Sequence, residues 1–150
     1  MAYQAKKHKR YREDFELVDD SGNVVHTLYI DLDADDVVSN INRKYTAVVR
    51  AIAETEQIKR KNENNESLQD AIETLGRAEI DLIEAVFGED NTGIIVEFFE
   101  GRYIEMAKEV IPFITTVAVP KITEIAKENK KQILSGYNRK QRRNLLKVKR

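Results

Sequence analysis

Apolar residues recur along this chain with two different periods. Leu28, Ile30 and Leu32 alternate with Thr27, Tyr29 and Asp31, which gives one apolar and one mixed face at the period of a strand. The run Phe15-Glu16-Leu17-Val18 precedes it, and the turn formers Asp19-Asp20-Ser21-Gly22-Asn23 lie between. Two β-branched and aromatic runs around such a cluster predict a β-hairpin. A lone hairpin is marginal in water, so it must pack on helices or on strands of another subunit.

From Val38 the period changes. Val38, Ile41, Tyr45, Val48 and Ile52 are spaced three and four apart, with Val37 and Val49 widening the seam. Asp33 or Asp35 suits the N-cap, and the helix extends to about Lys61, a length of about 40 Å. The polar residues 61–65 predict a loop. A second helix starts near Glu66 or Ser67, buries Leu68, Ile72, Leu75, Leu82, Ile83, Val86 and Phe87, and stops at Gly88.

Residues 88–93 read as a further loop, followed by the densely apolar Ile94, Ile95, Val96, Phe98 and Phe99. Gly101 interrupts before Tyr103, Ile104, Met106, Val110 and Ile111 resume the pattern. Pro112 and Pro120 each remove a backbone donor mid-pattern, which predicts kinks or breaks. Ile122, Ile125, Ala126, Ile133 and Leu134 complete a helix ending near Gly136. The expected fold is mainly α (α+β): an N-terminal β-hairpin, then a bundle of about four helices, the later ones kinked at Pro112 and Pro120. Residues 1–12 form a basic flexible leader, 13–136 a single hairpin-plus-helical domain, and 137–150 a basic flexible tail.

Charge sharpens this division. The net charge is only -1. Yet residues 1–12 carry five Lys/Arg and no acid, and residues 121–150 carry eleven against Glu124 and Glu128. That leaves nine basic and 24 acidic residues between 13 and 120. An acidic body thus has a basic extension at each end, which bears on partners more than on fold. No apolar stretch reaches the ~18 residues of a membrane span, and no apolar region follows the basic start as in a signal peptide.

The candidate chemistry is sparse. With no cysteine, thiolate catalysis and Cys-ligated zinc are excluded. His8 and His26 are the only histidines and form no i, i+4 metal pair. The acids Asp31, Asp33, Asp35 and Asp36 superficially resemble a calcium loop. Its required Gly and Glu are replaced by Asp36 and Asn42, however, so a capped helix start is the better reading. Gly88 and Gly93 have phosphate-loop spacing, but Ile94 and Ile95 stand where Lys and Ser/Thr are needed. Ser21, Ser39, Ser67 and Ser135 lack a nucleophile-elbow context. The expectation is a non-catalytic protein with no metal and no cofactor.

Two segments remain as interaction sites. Ile94 to Val119 is ordinary core or the lining of a groove for an amphipathic helix, with Ile95, Phe98, Phe99, Tyr103, Met106 and Phe113 as the candidate contacts. The tail carries Arg139, Lys140, Arg142, Arg143 and Lys147, interleaved with Leu145, Leu146 and Val148. It is a solvated tail, an element that docks on an acidic protein surface such as the body of a neighbouring copy, or a phosphate binder in which Tyr137 stacks on a base.

The hairpin Phe-Glu-Leu-Val-Asp-Asp-Ser-Gly-Asn-Val-Val…Leu-Tyr-Ile-Asp-Leu leads into a long helix. A Phe-Gly-Glu loop, an aromatic pair and Ile-Pro-Phe-Ile…Val-Pro-Lys-Ile follow. Over about residues 13–135 this order resembles the small tail assembly chaperones of long-tailed phages and prophages of Gram-positive bacteria. The resemblance implies a protein of the bacterial host cytoplasm that is absent from the mature virion. It implies a chaperone that coats the helical tape measure protein before tail tube subunits polymerise round it. A homo-oligomer, a longer frameshifted form and the tail tube protein are the further implied partners. The basic tail departs from that pattern and leaves a nucleic-acid-binding accessory protein as the alternative, beside a minor structural virion protein.

Overall fold

A computed structural model of the chain describes residues 2–61 and 65–131. The N-terminal hairpin consists of β1 (Tyr11–Val18) and β2 (Val24–Leu32), paired antiparallel with Tyr11 opposite Leu32 and Phe15 opposite Leu28. Asp19 closes the turn by accepting from the backbone N–H groups of Ser21 (3.0 Å) and Asn23 (2.9 Å), and Gly22 supplies the φ of 87°. A short polar side chain that bonds the backbone two residues on is what makes Asp a turn former. The pleat sends Tyr11, Leu17, Leu28 and Ile30 into the core and leaves Arg12, Asp14, Glu16 and Tyr29 outside. The hairpin rests on the helices, one of the two solutions its pattern allows. Strand β1 takes in Tyr11 and Arg12, which pattern alone assigns to the leader.

Four helices follow. Asp33 caps α1 (Ala34–Arg60) by accepting from the Asp35 N–H, and Asp35 and Asp36 lie in its first turn, where the helix dipole favours acids. Helix α2 (Asn65–Phe87) packs along α1, burying Leu75, Leu82, Ile83 and Val86 against Ile41, Val48 and Ala51 as one core. Gly88, at φ 86°, ends α2, and α3 (Glu89–Phe98) starts at the next residue. The expected loop over 88–93 is therefore absent. Its polar residues serve the helix start instead: Thr92 donates to the Gly88 carbonyl, and Asn91 donates to the carbonyls of Phe87 and Tyr29. Asn91 in this way also ties the corner to β2.

Helix α4 (Tyr103–Phe113) runs through Pro112 into a π-helical stretch, Ile114–Ala118, and is helical again over 119–131. The prolines thus produce a widened turn rather than a break. Proline has no N–H to give and crowds the turn before it, and wider π spacing relieves both constraints. Thr116 and Thr115 donate their hydroxyls to the Pro112 carbonyl. Ile114, Ala118, Ile122 and Ile125 keep one face of this helix in the core.

Phe15 on β1, Phe87 at the end of α2 and Phe113 on α4 meet as a ring cluster, with centroids 4.8 to 5.8 Å apart. This cluster fastens the hairpin to the helices. The leader is fastened as well: Asn129, buried, donates to the Lys9 carbonyl (3.1 Å), and Arg10 donates to Asp31 (2.7 Å). That contact raises the Arg10 guanidinium pKa and holds the Asp31 carboxyl below its usual range. Residues 132–150 lie outside the described residues, and with them the expected helix end at Gly136.

One core position breaks the apolar rule. Glu79 lies on the stripe of α2 between Leu75 and Leu82 and is fully buried, and both its carboxylate oxygens lack a hydrogen-bond partner. Burial pushes its pKa up to about 7.

Candidate docking groove

The sequence-predicted contact residues fall into two sets. Ile95 and Met106 are sealed in the core, and Phe113 belongs to the ring cluster with Phe15 and Phe87. Tyr103, half-buried, lays its ring on the backbone of α2 at Gly76. Phe98 is half-buried, and Phe99, at 8% exposure, sits at the edge of the core beside it. Their rings meet edge to face, 5.0 Å apart at 88°, and both line a groove of roughly 700 Å³.

The groove lies between the second half of β1 and the corner that joins α3 to α4. Phe15, Leu17, Val18, Phe98 and Phe99 form its apolar part. Glu16, Asp19, Asp20, Glu100, Glu105 and Glu109 form its polar part, which contains no cationic residue. Arg102 stands nearby, 3.8 Å from both Glu100 and Glu105, with its guanidinium largely in solvent. An exposed pair at that distance neutralises little. The groove is thus aromatic below and acidic around its rim, which suits an apolar segment bearing Lys or Arg.

The backbone at the corner explains the position of the rim. The Gly101 N–H reaches back to the Val96 carbonyl and the Glu100 N–H to the Glu97 carbonyl, the 6→1 and 5→2 bonds of a Schellman ending. The left-handed position of that ending, usually glycine, is filled by Glu100 at φ 54°. A residue with a β-carbon is strained there, and the strain puts a carboxylate on the groove. Gly101, also left-handed at φ 74°, completes the reversal, so that Glu105 and Glu109, one turn apart on α4, face the same opening.

Sequence reasoning missed the contribution of β1. Phe15 to Asp20 and Phe98 to Glu109 are more than 75 residues apart, and no local pattern links them. The predicted tail residues Arg139, Lys140, Arg142, Arg143 and Lys147 lie outside the described residues. Asp31 faces Arg10 and Arg12, Asp33 is the cap, Asp35 faces His8, and Asp36 lies in the first turn of α1. Among the described residues no group of three or more His, Cys, Asp or Glu is placed to hold a metal ion, and no helix is long and apolar enough to cross a membrane. In comparisons with protein-family models, curated proteins and solved structures, nothing matched this chain.

Proposed function

We propose that this protein is a non-catalytic binding protein that keeps an exposed, partly apolar client segment in solution, and that it acts in the host cytoplasm as a tail assembly chaperone for a tape measure protein. The observation that carries the reading is the groove: the half-buried rings of Phe15 and Phe98 lie at its floor between a strand edge and a helical corner, ringed by six acids. Covering apolar surface contributes about 25 cal/mol per Å², and several copies along one long client add avidity without tight single sites. The acidic rim selects client stretches in which basic residues flank the apolar ones. The resemblance in element order supplies the identity of the client.

The nucleic-acid alternative loses support at the N-terminus. Arg10 and Arg12 lie against Asp31, Lys121 against Glu13, and His8 against Asp35. These contacts lay the side chains along the body of the protein, although pairs this exposed neutralise little charge. What remains of that reading rests on Lys6, Lys7 and Lys9 of the leader together with residues 137–150.

Co-expression with a tape measure protein tests the proposal. Glu105→Lys with Glu109→Lys, and separately Phe98→Ser, should leave the helical circular dichroism intact and send the client into the pellet. A variant that folds and still keeps the client soluble refutes the groove. Deleting residues 137–150 separates the classes: client binding persists on the chaperone reading, whereas nucleic-acid retention collapses on the other.

A further inference from the structure

The groove is also the open side of a sheet. Its lining takes six consecutive residues, Phe15 to Asp20, from β1 and its turn and none from β2. It therefore runs along the β1 edge that β2 does not occupy. Among the described residues the sheet has two strands and that edge has no backbone partner. An unpaired edge beside an apolar floor is a template for an added strand.

The chain itself contains a segment with the matching pattern. Leu146-Lys147-Val148-Lys149 alternates apolar and basic residues at the period of a strand, contains no proline, and follows the cations Arg142 and Arg143. We infer that residues 144–150 of a second copy of this chain add as a strand to the free edge of β1, with Leu146 and Val148 over Phe98 and Phe99 and the cations among Glu16, Glu105 and Glu109. This rests on the reading of the groove as a docking surface and names a partner for it.

Geometry favours a second copy over the same molecule. The groove lies at the turn end of the hairpin. The described chain ends at Lys131, close to where Asn129 holds Lys9 just before β1 begins. From Glu109 to Lys131 the helix climbs about 33 Å at 1.5 Å per residue. Residues 132–144 span about 43–47 Å when fully extended, so docking in the same molecule would hold them at roughly three quarters of that reach, at a cost in chain entropy. A neighbour's tail meets no such constraint. Because exit and groove lie at opposite ends, the contact is head-to-tail and repeats into chains of copies.

The test uses the full chain without client. Weight-average mass by sedimentation should rise above the 17.3 kDa of the monomer as concentration increases, and return to it when salt is raised from about 50 mM to about 500 mM. Reversing the tail (Arg142→Glu, Arg143→Glu, Lys147→Glu, Lys149→Glu) should weaken association at least tenfold. So should reversing the rim (Glu105→Lys, Glu109→Lys), and the two sets combined should restore it. The neutral pair Glu105→Gln and Glu109→Gln should weaken association less than the reversal. A monomer at all concentrations overturns the inference, as does association indifferent to the tail, failure of the combined set to associate, or a tail effect on hydrodynamic radius alone. If the tail variants change nothing while the rim variants still lose the client, the inference fails and the groove reading stands.

Discussion

The Tyr103 ring lies so close to the backbone of α2 that a β-carbon on Gly76 would sit 2.7 Å from the Tyr103 Cδ2 and 2.9 Å from its Cγ. Contact at Cγ involves the base of the ring, so turning the ring about its Cβ–Cγ bond does not clear it. The start of α4 would have to move, and the rim residues Glu105 and Glu109 with it.

This contact reverses an ordinary rule. Replacing a mid-helix glycine by alanine normally stabilises by about 1 kcal/mol. Gly76→Ala should instead destabilise by roughly 1–3 kcal/mol through overpacking, lowering Tm by roughly 2–4 °C for each kcal/mol. Adding Tyr103→Ala should make the alanine at 76 favourable again relative to Tyr103→Ala alone. Thermal melts of the four proteins decide it, and additive effects would mean that the two residues do not touch.

Glu79 makes stability depend on pH in a direction opposite to most carboxylates. Its pKa rises from the ordinary 4.5 to about 7 because burial penalises the charged form. The folded protein therefore holds this proton more tightly than the unfolded chain does. The associated stability is fully present below the ordinary value and is lost as pH rises through about 7. At 1.36 kcal/mol per pH unit the full effect is about 3 kcal/mol. Glu79→Gln, which does not titrate, should gain on the natural protein by about that much between acid and mildly alkaline pH. Chemical denaturation at both ends of that range measures it. A constant difference would place a partner on the Glu79 carboxylate.

How much of this was legible in the sequence depended on the range of the signal. The hairpin was legible because Leu28, Ile30 and Leu32 alternate and Asp19 to Asn23 can form only a turn. The ends of α1 and α2 followed from Asp33 and Gly88. Glu79 left a trace, a gap between Leu75 and Leu82 at the position the stripe requires, but a gap does not tell whether a helix buries the residue or turns it outward. The corner at 88–93 misled because Asn91 and Thr92 are loop formers in isolation, whereas here they bond Phe87, Tyr29 and Gly88. The groove was the least legible part. Ile95, Phe99 and Met106 are as apolar as Phe98, and nothing in the local pattern tells the half-buried ring from the three buried side chains or brings β1 beside it from far along the chain.

Glu100 predicts a stabilising change. Its φ of 54° costs a residue with a β-carbon about 1–2 kcal/mol, while glycine gives back part of that through its freer unfolded chain. Glu100→Gly should gain about 0.5–1 kcal/mol, and Glu100→Ala, which keeps the β-carbon, should gain nothing. If alanine gains as much as glycine, the relief comes from removing a charge near Glu97 and Glu105 rather than from the backbone. Either outcome is read from paired melts at low and high salt, since only the charge effect is screened.

Asn129 offers a test of how the N-terminal segment is held. Its amide is buried and donates to the Lys9 carbonyl at 3.1 Å and to Asp35 at 3.4 Å, so one side chain from the last described turn of the long helix fixes both the leader and the start of α1. Removing it takes away a part-buried hydrogen bond, a cost of about 0.5–1.5 kcal/mol that falls on the leader and the helix end rather than on the whole core. Asn129→Ala should therefore speed tryptic cleavage at Lys7 and Lys9 several-fold while the melting of the helices changes little. Asn129→Asp should behave like the alanine variant or worse, because it puts a second carboxylate beside Asp35 and has no N–H to offer Lys9. Cleavage unchanged in both variants would show that Arg10 on Asp31 holds the segment by itself. Arg10→Ala should then release it, and Asn129 would count only as core.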